Sequence, residues 1–284
     1  METLDFTKPS QSPIYDPAVA TAFFKAAGTT EDVAAGKTFF VERQQRGFFS
    51  AKDRMYLLLD GAVALSVGGK SIDTVNPGEI FGEIATISNS QRSATAMAKT
   101  ACRVIALDGD QFQKAIQKTP GFALMLMSIM IDRLRLTLAR LTIMKTLPDN
   151  FAGDERRVFD DETLDELANQ LGNPGLLRFS ADQTIINAGE AGVLMYLPRE
   201  GRVAITANNR TLERVGVGGV FGEMALVDRA TRAANAVAET ECALMAVNRK
   251  QFLQLVQTNP AFGVSLLKLL GQRLQAATIQ LSTK

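Results

Sequence analysis

Two short stretches of this chain combine residue types that can hold an anion beside a hydroxyl group. The first runs Phe81-Gly82-Glu83-Ile84-Ala85 and reaches Arg92 nine residues after the glutamate, with Ser93 and Ala94 behind it. The second lies 140 positions later, runs Phe221-Gly222-Glu223-Met224-Ala225, and reaches Arg232, Ala233 and Ala234 at the same spacing. Glycine lets a ligand approach the main chain closely. The residues after it can wind into a short helix whose unpaired N–H groups and positive end attract an anion. A guanidinium offers a fork of donors that matches phosphate and does not lose its charge. A carboxylate beside such a site is repulsive unless it accepts hydrogen bonds from hydroxyls on the same ligand. The combination asks for one small anionic group with a hydroxyl close by, as in a sugar phosphate or a nucleotide. A structural ion pair between Glu and Arg is the simpler reading of one such stretch, and repetition at identical spacing weighs against it. Arg229 has Asn89 as its counterpart and reads as a solvated loop residue.

The elements that must position these residues are themselves duplicated. At the same offset of 140, Met55-Tyr56 matches Met195-Tyr196, Gly61 matches Gly201, Phe112 matches Phe252 and Arg133-Leu134 matches Arg273-Leu274. Upstream the offset grows by six, pairing Thr38 with Thr184, so the first copy carries about six extra residues between 42 and 52. A unit of this length is a duplicated domain rather than a solenoid repeat. Within the first copy, runs at 55–59, 62–67, 71–75, 93–98 and 102–107 read as short strands separated by Asp60-Gly61 and Gly68-Gly69 turns. A helix is predicted over 110–118, and a longer one over 122–145 whose Met127, Ile131, Leu134, Leu138 and Leu141 follow a near-heptad seam. Its counterpart over 262–281 places Gly271 and Thr278 in that seam. Helices over 17–27 and 161–171 precede the two sets of strands, the second ended by Gly172. The expected architecture is α+β: two tandem β-barrel domains, double-stranded β-helix or jelly-roll-like, each flanked by helices with a long helix after each barrel. The predicted boundaries are a polar tail over 1–16, domain A over 17–145, a linker over 146–160 and domain B over 161–284.

Composition narrows the function. The net charge of +1 gives no global basic field for nucleic acid. The chain contains no histidine, which excludes Ser-His and Cys-His catalysis, phosphohistidine relays and His-ligated metal sites, including those of cupin-like enzymes. Cys102 and Cys242 occupy equivalent positions in the two copies and so read as buried free thiols rather than a disulfide pair. The most apolar run, 124–131, is interrupted by Asp132-Arg133 and is too short to span a bilayer. The first residues lack a signal-peptide pattern, so the chain reads as cytoplasmic.

The Phe-Gly-Glu-x-Ala…Arg-x-Ala pattern inside a short-strand barrel followed by a long helix resembles the cyclic nucleotide-binding domain. The resemblance covers about 36–145 and 179–281, and two such domains in tandem resemble the binding half of cyclic AMP-dependent protein kinase regulatory subunits. It implies that Glu83 and Glu223 accept the ribose 2′-hydroxyl. Arg92 and Arg232 would pair with the cyclic phosphate, aided by N–H groups around 82–85 and 222–225. Ser93 stands where the bacterial catabolite activator also carries a hydroxyl, and Ala233 is as in the kinase subunits. Thr137 and Thr278 align with that activator's base-contacting Thr-Ser pair, which favours adenine. Tyr15, Phe151 and Phe159 are candidates for an aromatic cap on the base.

The expectation is therefore a non-enzymatic cytoplasmic sensor binding two cyclic nucleotides per chain, cyclic AMP first and cyclic GMP possible, with no catalytic cofactor and no metal. Ligand would re-dock the helix after each barrel and so signal to an unidentified effector protein. The chain ends soon after the second long helix, so direct DNA binding is not expected, nor is a membrane span. The 122–145 seam offers either a homodimer contact or packing against the second domain. The rival readings are a scaffold that uses the barrels without nucleotide and a receptor for a cyclic dinucleotide.

Overall fold

In a computed structural model the described residues are 15–44, 53–88, 90–144 and 156–282. Residues 1–14 of the predicted tail, residues 45–52 of the region carrying the extra residues, most of the linker and Phe151 lie outside them. The described residues group into two compact units, one within 1–136 and 267–284, the other within 137–266.

The first unit opens with α1 (Pro17–Ala27), started by Asp16, whose side chain accepts from the Ala18 N–H at 2.8 Å, and by Pro17 in the first turn. Strands β1 (Thr29–Val33), β2 (Thr38–Phe40), β3 (Arg54–Asp60), β4 (Val63–Val67), β5 (Lys70–Val75) and β6 (Ile80–Phe81) follow. The short helix α2 (Glu83–Ser88) comes next, then β7 (Thr95–Ala98), β8 (Cys102–Asp108), α3 (Gly109–Lys118) and α4 (Phe122–Ile143) as far as residue 136. Pairing is antiparallel in two sheets, ordered β1-β8-β3-β6 and β2-β7-β4-β5. The core lies between them, with Tyr56, Leu58 and Val104 from one sheet against Phe40, Val63 and Ala98 from the other. The predicted barrel is thus two separate sheets in a jelly-roll-like arrangement rather than one closed sheet, because each keeps its own edge strands.

The second unit contains α5 (Asp161–Gln170), β9 (Leu177–Phe179), β10 (Thr184–Ile186), β11 (Leu194–Glu200), β12 (Val203–Ala207) and β13 (Arg210–Val215). It continues with α6 (Glu223–Asp228), β14 (Asn235–Ala238), β15 (Cys242–Asn248), α7 (Arg249–Thr258) and the start of α8 (Pro260–Ser282). Its sheets run β11-β15-β9 and β10-β14-β12-β13. The β3–β6 pairing reappears as a single bridge between Tyr196 and Phe221. The same capping box starts α3 and α7, with Asp108 reciprocating Gln111 and Asn248 reciprocating Gln251.

Most predicted elements lie within a few residues of their expected places. The strands absent from the sequence reading are β1, β2 and β6 in the first copy. Strand β1 reads Thr-Thr-Glu-Asp-Val and sits at a sheet edge, where its pairing with β8 rather than apolar alternation holds it extended. Cys102 and Cys242 are both buried and free. On α4, the seam residues Met127, Ile131, Leu134 and Leu141 are buried within the chain and Leu138 is half-buried.

One departure from the repeat carries a titration. Glu79 is 4% exposed in the turn before β6, and its carboxylate accepts the Asn76 N–H at 2.8 Å. Burial raises its pKa from 4.5 to about 7, against the lowering effects of the Asn76 hydrogen bonds and the Arg133 charge, while Asp73 adds to the rise. The other copy has Gly219 here. Because the folded pKa lies above the unfolded one, the native state binds the proton more tightly, and this stability is lost as pH rises from about 4.5 to about 7. Glu79→Gln is expected to flatten the fall of the urea midpoint across that window. An unchanged slope would show that Glu79 does not titrate there.

Candidate functional site

Phe81 and Phe221 anchor the two glycine–glutamate stretches. Each is 2% exposed, and each stacks on the tyrosine of the neighbouring strand, Tyr56 or Tyr196, at 5.1 Å between ring centroids. They fix where the following glycine leaves the sheet and belong to the core. Gly82 and Gly222 then take φ of +75° and +81°, a region that penalises other residues. A Cβ at either would also crowd the arginine of its own copy, lying 3.1 Å from Arg92 Nη1 or 2.9 Å from Arg232 Nη1. The glycine thus turns the chain into the short helix and leaves room for the guanidinium.

Both arginines are held in the same way. Arg92 donates from Nη1 to the Gly82 carbonyl at 2.8 Å and from Nη2 to the Arg54 carbonyl at 2.9 Å. Arg232 donates from Nη1 to the Gly222 carbonyl at 2.8 Å and from Nη2 to the Leu194 carbonyl at 2.5 Å. Leu194 is the counterpart of Arg54, so the clamp is the same main-chain cradle built twice. Two carbonyls fix the plane of a guanidinium without neutralising it. Arg92 is additionally 3.3 Å from the Asp53 carboxylate and packs over the Phe40 ring at 4.2 Å. Burial lowers the Arg232 pKa, against the charges of Tyr196, Glu223 and Glu190. The group nonetheless stays protonated, as arginine does in proteins.

Glu83 and Glu223 open α2 and α6 and are each 2% exposed. Glu83 is ion-paired and hydrogen-bonded to Arg133 of α4. A buried carboxylate needs such a partner, since desolvating it alone is costly. Ile84, Met224 and Ser93 are half-buried beside these groups, Ala85, Ala225 and Ala94 are buried, Ala234 is half-buried and Ala233 is exposed. The structure therefore gathers glycine, glutamate and arginine of each copy around one exit from the sheet.

The helix threonines and aromatic candidates are placed differently. Thr137 is 3% exposed and falls in the unit within 137–266. Thr278 falls in the unit that carries the first stretch, and its hydroxyl donates to Leu274 O of its own helix at 2.8 Å. Phe159 is buried and stacked on Phe262 at 5.6 Å, so it serves the core. The Tyr15 hydroxyl donates to Gly78 O, and burial followed by the Glu79 charge raises its pKa to about 12. Arg229 is exposed, in the left-handed conformation that ends α6.

Sequence reasoning missed two partners. Asp53 has no repeat signal, because Val193 stands at the equivalent position. Arg133 did have one, since Arg133-Leu134 recurs as Arg273-Leu274, and its charge on the face of a helix after the sheets marked it as a partner for a buried acid.

With this geometry in place, comparison with known proteins is informative. The family described as "Cyclic nucleotide-binding domain" matches residues 48–119 and 176–259, more than half of the chain. The chain is 26% identical over 226 residues to a cAMP-dependent protein kinase regulatory subunit of Schizosaccharomyces pombe, covering 78% of this chain and 49% of that protein. It is 24% identical over 213 residues to human cGMP-dependent protein kinase 2, covering 72% and 25%. Among solved structures, the Thermus thermophilus catabolite activator protein is similar at 30% identity and a TM-score of 0.38, over 44% of this chain and 60% of that one. The chain spans about half the length, or less, of these curated relatives. No described helix is long and apolar enough to cross a membrane. With two matched regions and two copies of one arginine cradle, the chain belongs to the cyclic nucleotide-binding domain family.

Proposed function

We propose that this chain is a non-enzymatic, cytoplasmic regulatory protein that binds cyclic AMP at two sites and reports occupancy to an effector protein. The observation that carries the reading is the duplicated arginine cradle, with Arg92 and Arg232 clamped by equivalent carbonyls beside a glycine and a buried glutamate. In this reading the cyclic phosphate sits against Arg92 and the N–H groups of 82–85 in domain A (17–145). In domain B (161–284), beyond a linker over 146–160, it sits against Arg232 and the N–H groups of 222–225. Glu83 and Glu223 accept the ribose hydroxyl. Arg133, already on Glu83, holds that carboxylate aligned for the task. Ser93 adds a hydroxyl near the first phosphate, and Thr137 and Thr278 are the helix residues proposed to meet a base.

Signalling follows from differential contacts, since a ligand shifts an equilibrium only by binding one state more tightly. The Glu83–Arg133 pair is the natural relay: a hydroxyl that engages Glu83 changes what Arg133, and with it α4, is held by. Cyclic GMP is the second candidate ligand, supported by the similarity to a protein named cGMP-dependent protein kinase 2. The scaffold reading, without nucleotide, leaves the twice-built cradle unexplained.

Two outcomes are expected. Arg92→Ala and Arg232→Ala should each weaken cyclic AMP at their own site by about 30- to 1,000-fold, on the order of 2–4 kcal/mol, in equilibrium binding with a labelled nucleotide. Parent-like affinity in both variants would overturn the site assignment. Four of the five α4 seam residues are buried within the chain, so we read the seam as an internal packing face rather than a homodimer contact. Light scattering should return a mass near 30.7 kDa with and without ligand. A doubled mass that collapses on Leu134→Glu would restore the dimer.

A further inference from the structure

The last turns of α8 belong to the compact unit that carries the first cradle, since residues 267–284 group with 1–136. Within that unit, Gly271 of α8 stands over the end of α2. A Cβ at Gly271 would lie 3.1 Å from Ser88 Cβ and 3.4 Å from Ser88 Oγ. Ser88 is buried, its hydroxyl donating to Ile84 O at 2.6 Å and sharing a hydrogen bond with Ser90 Oγ at 2.8 Å. A contact at Ser88 Cβ cannot swing away as the tip of a long side chain would, so a larger residue at 271 must shift α8 or α2. Glycine is a poor helix former, and its presence inside α8 has this close approach as its reason. One turn further on, Gln275 Nε2 donates to the Gln91 carbonyl at 3.0 Å. Gln91 immediately precedes Arg92.

We propose that the C-terminal segment of α8 positions the first phosphate site: Gly271 seats the helix on α2, and Gln275 holds the Gln91 carbonyl and with it the loop that delivers Arg92. This rests on reading that cradle as a cyclic nucleotide site, and it adds that the segment sets the site's affinity. The residues that build this contact are particular to the first copy. The positions equivalent to Gly271 and Gln275 are Ile131 and Arg135, and Asp228 replaces Ser88. Both loops share one main-chain tie, Arg43 N–H to Arg92 O and Gly189 N–H to Arg232 O, each 2.9 Å, and the second is also held by a bridge between Ala191 and Thr231 and an Arg232 N–H to Glu190 O bond of 2.9 Å. An event at the end of α8, such as partner binding or displacement of the helix, would therefore loosen the first site and leave the second intact.

The test uses the full chain in two backgrounds, Arg232→Ala to report the first site and Arg92→Ala to report the second, titrated with cyclic AMP. Gln275→Met removes the donor at similar length, whereas Gln275→Arg keeps one. In the first-site background, Gln275→Met should weaken binding about three- to tenfold, the scale of one hydrogen bond, and Gln275→Arg should stay within about twofold of the parent. Gly271→Leu should weaken it further. In the second-site background none of the three should change affinity, which separates positioning from a general loss of stability. In ligand-free protein, Gln275→Met should also speed amide exchange across residues 90–94. Unchanged first-site affinity in both Gln275→Met and Gly271→Leu overturns the inference, as does equal weakening of both sites. If neither background binds any cyclic nucleotide, the functional reading fails, and the exchange result alone then decides whether the segment holds the loop.

Discussion

The structure depends on a guanidinium held by two main-chain carbonyls. An arginine left to its own rotamers offers a mobile charge, and ordering it on a ligand costs side-chain entropy. Here Gly82 and Gly222 turn with positive φ, and the carbonyls of that glycine and of the residue at the start of the opposing strand take one donor each. The charge is then presented in one place before any ligand arrives. The stacked Phe81–Tyr56 and Phe221–Tyr196 pairs matter because they set where the glycine leaves the sheet, and so where its carbonyl points. The two facing sheets exist, in this view, to keep a handful of main-chain atoms in register with one side chain.

Duplication makes the departures between copies as telling as the agreements. What is shared is the cradle, the buried glutamate and the capping box of the following helix. What differs lies one layer out. Asp53 sits against Arg92 where the other copy has Val193, Glu79 stands where the other has Gly219, and Gly271 corresponds to Ile131. The residues proposed to meet a ligand are thus the same in both copies, while the supports around them have diverged.

Much of this was legible in the sequence because it was written twice. Spacing alone identified the Gly-Glu-Arg set, and the turns at Asp60-Gly61 and Gly68-Gly69 bounded most strands closely. Less visible were elements whose structure comes from their partners. Strand β1 carries no apolar alternation, and β6 is only two residues long. The jelly-roll-like barrels expected from the strand runs are present as two facing sheets, since strand runs do not reveal which edges stay unpaired. Gly271 read as a weakness in a heptad seam, yet in the structure it permits a close approach to Ser88. Asp53 left no trace, because one acid near a strand start resembles any surface acid until the fold brings it to Arg92.

The account's central claim is that both cradles are working phosphate sites, and the most direct test is the stoichiometry of cyclic AMP bound to the purified full chain by isothermal titration. The account predicts two molecules per chain. The absence of any heat of binding with cyclic AMP or cyclic GMP, together with an unchanged melting temperature, would contradict it and leave the two arginine cradles as structural supports alone.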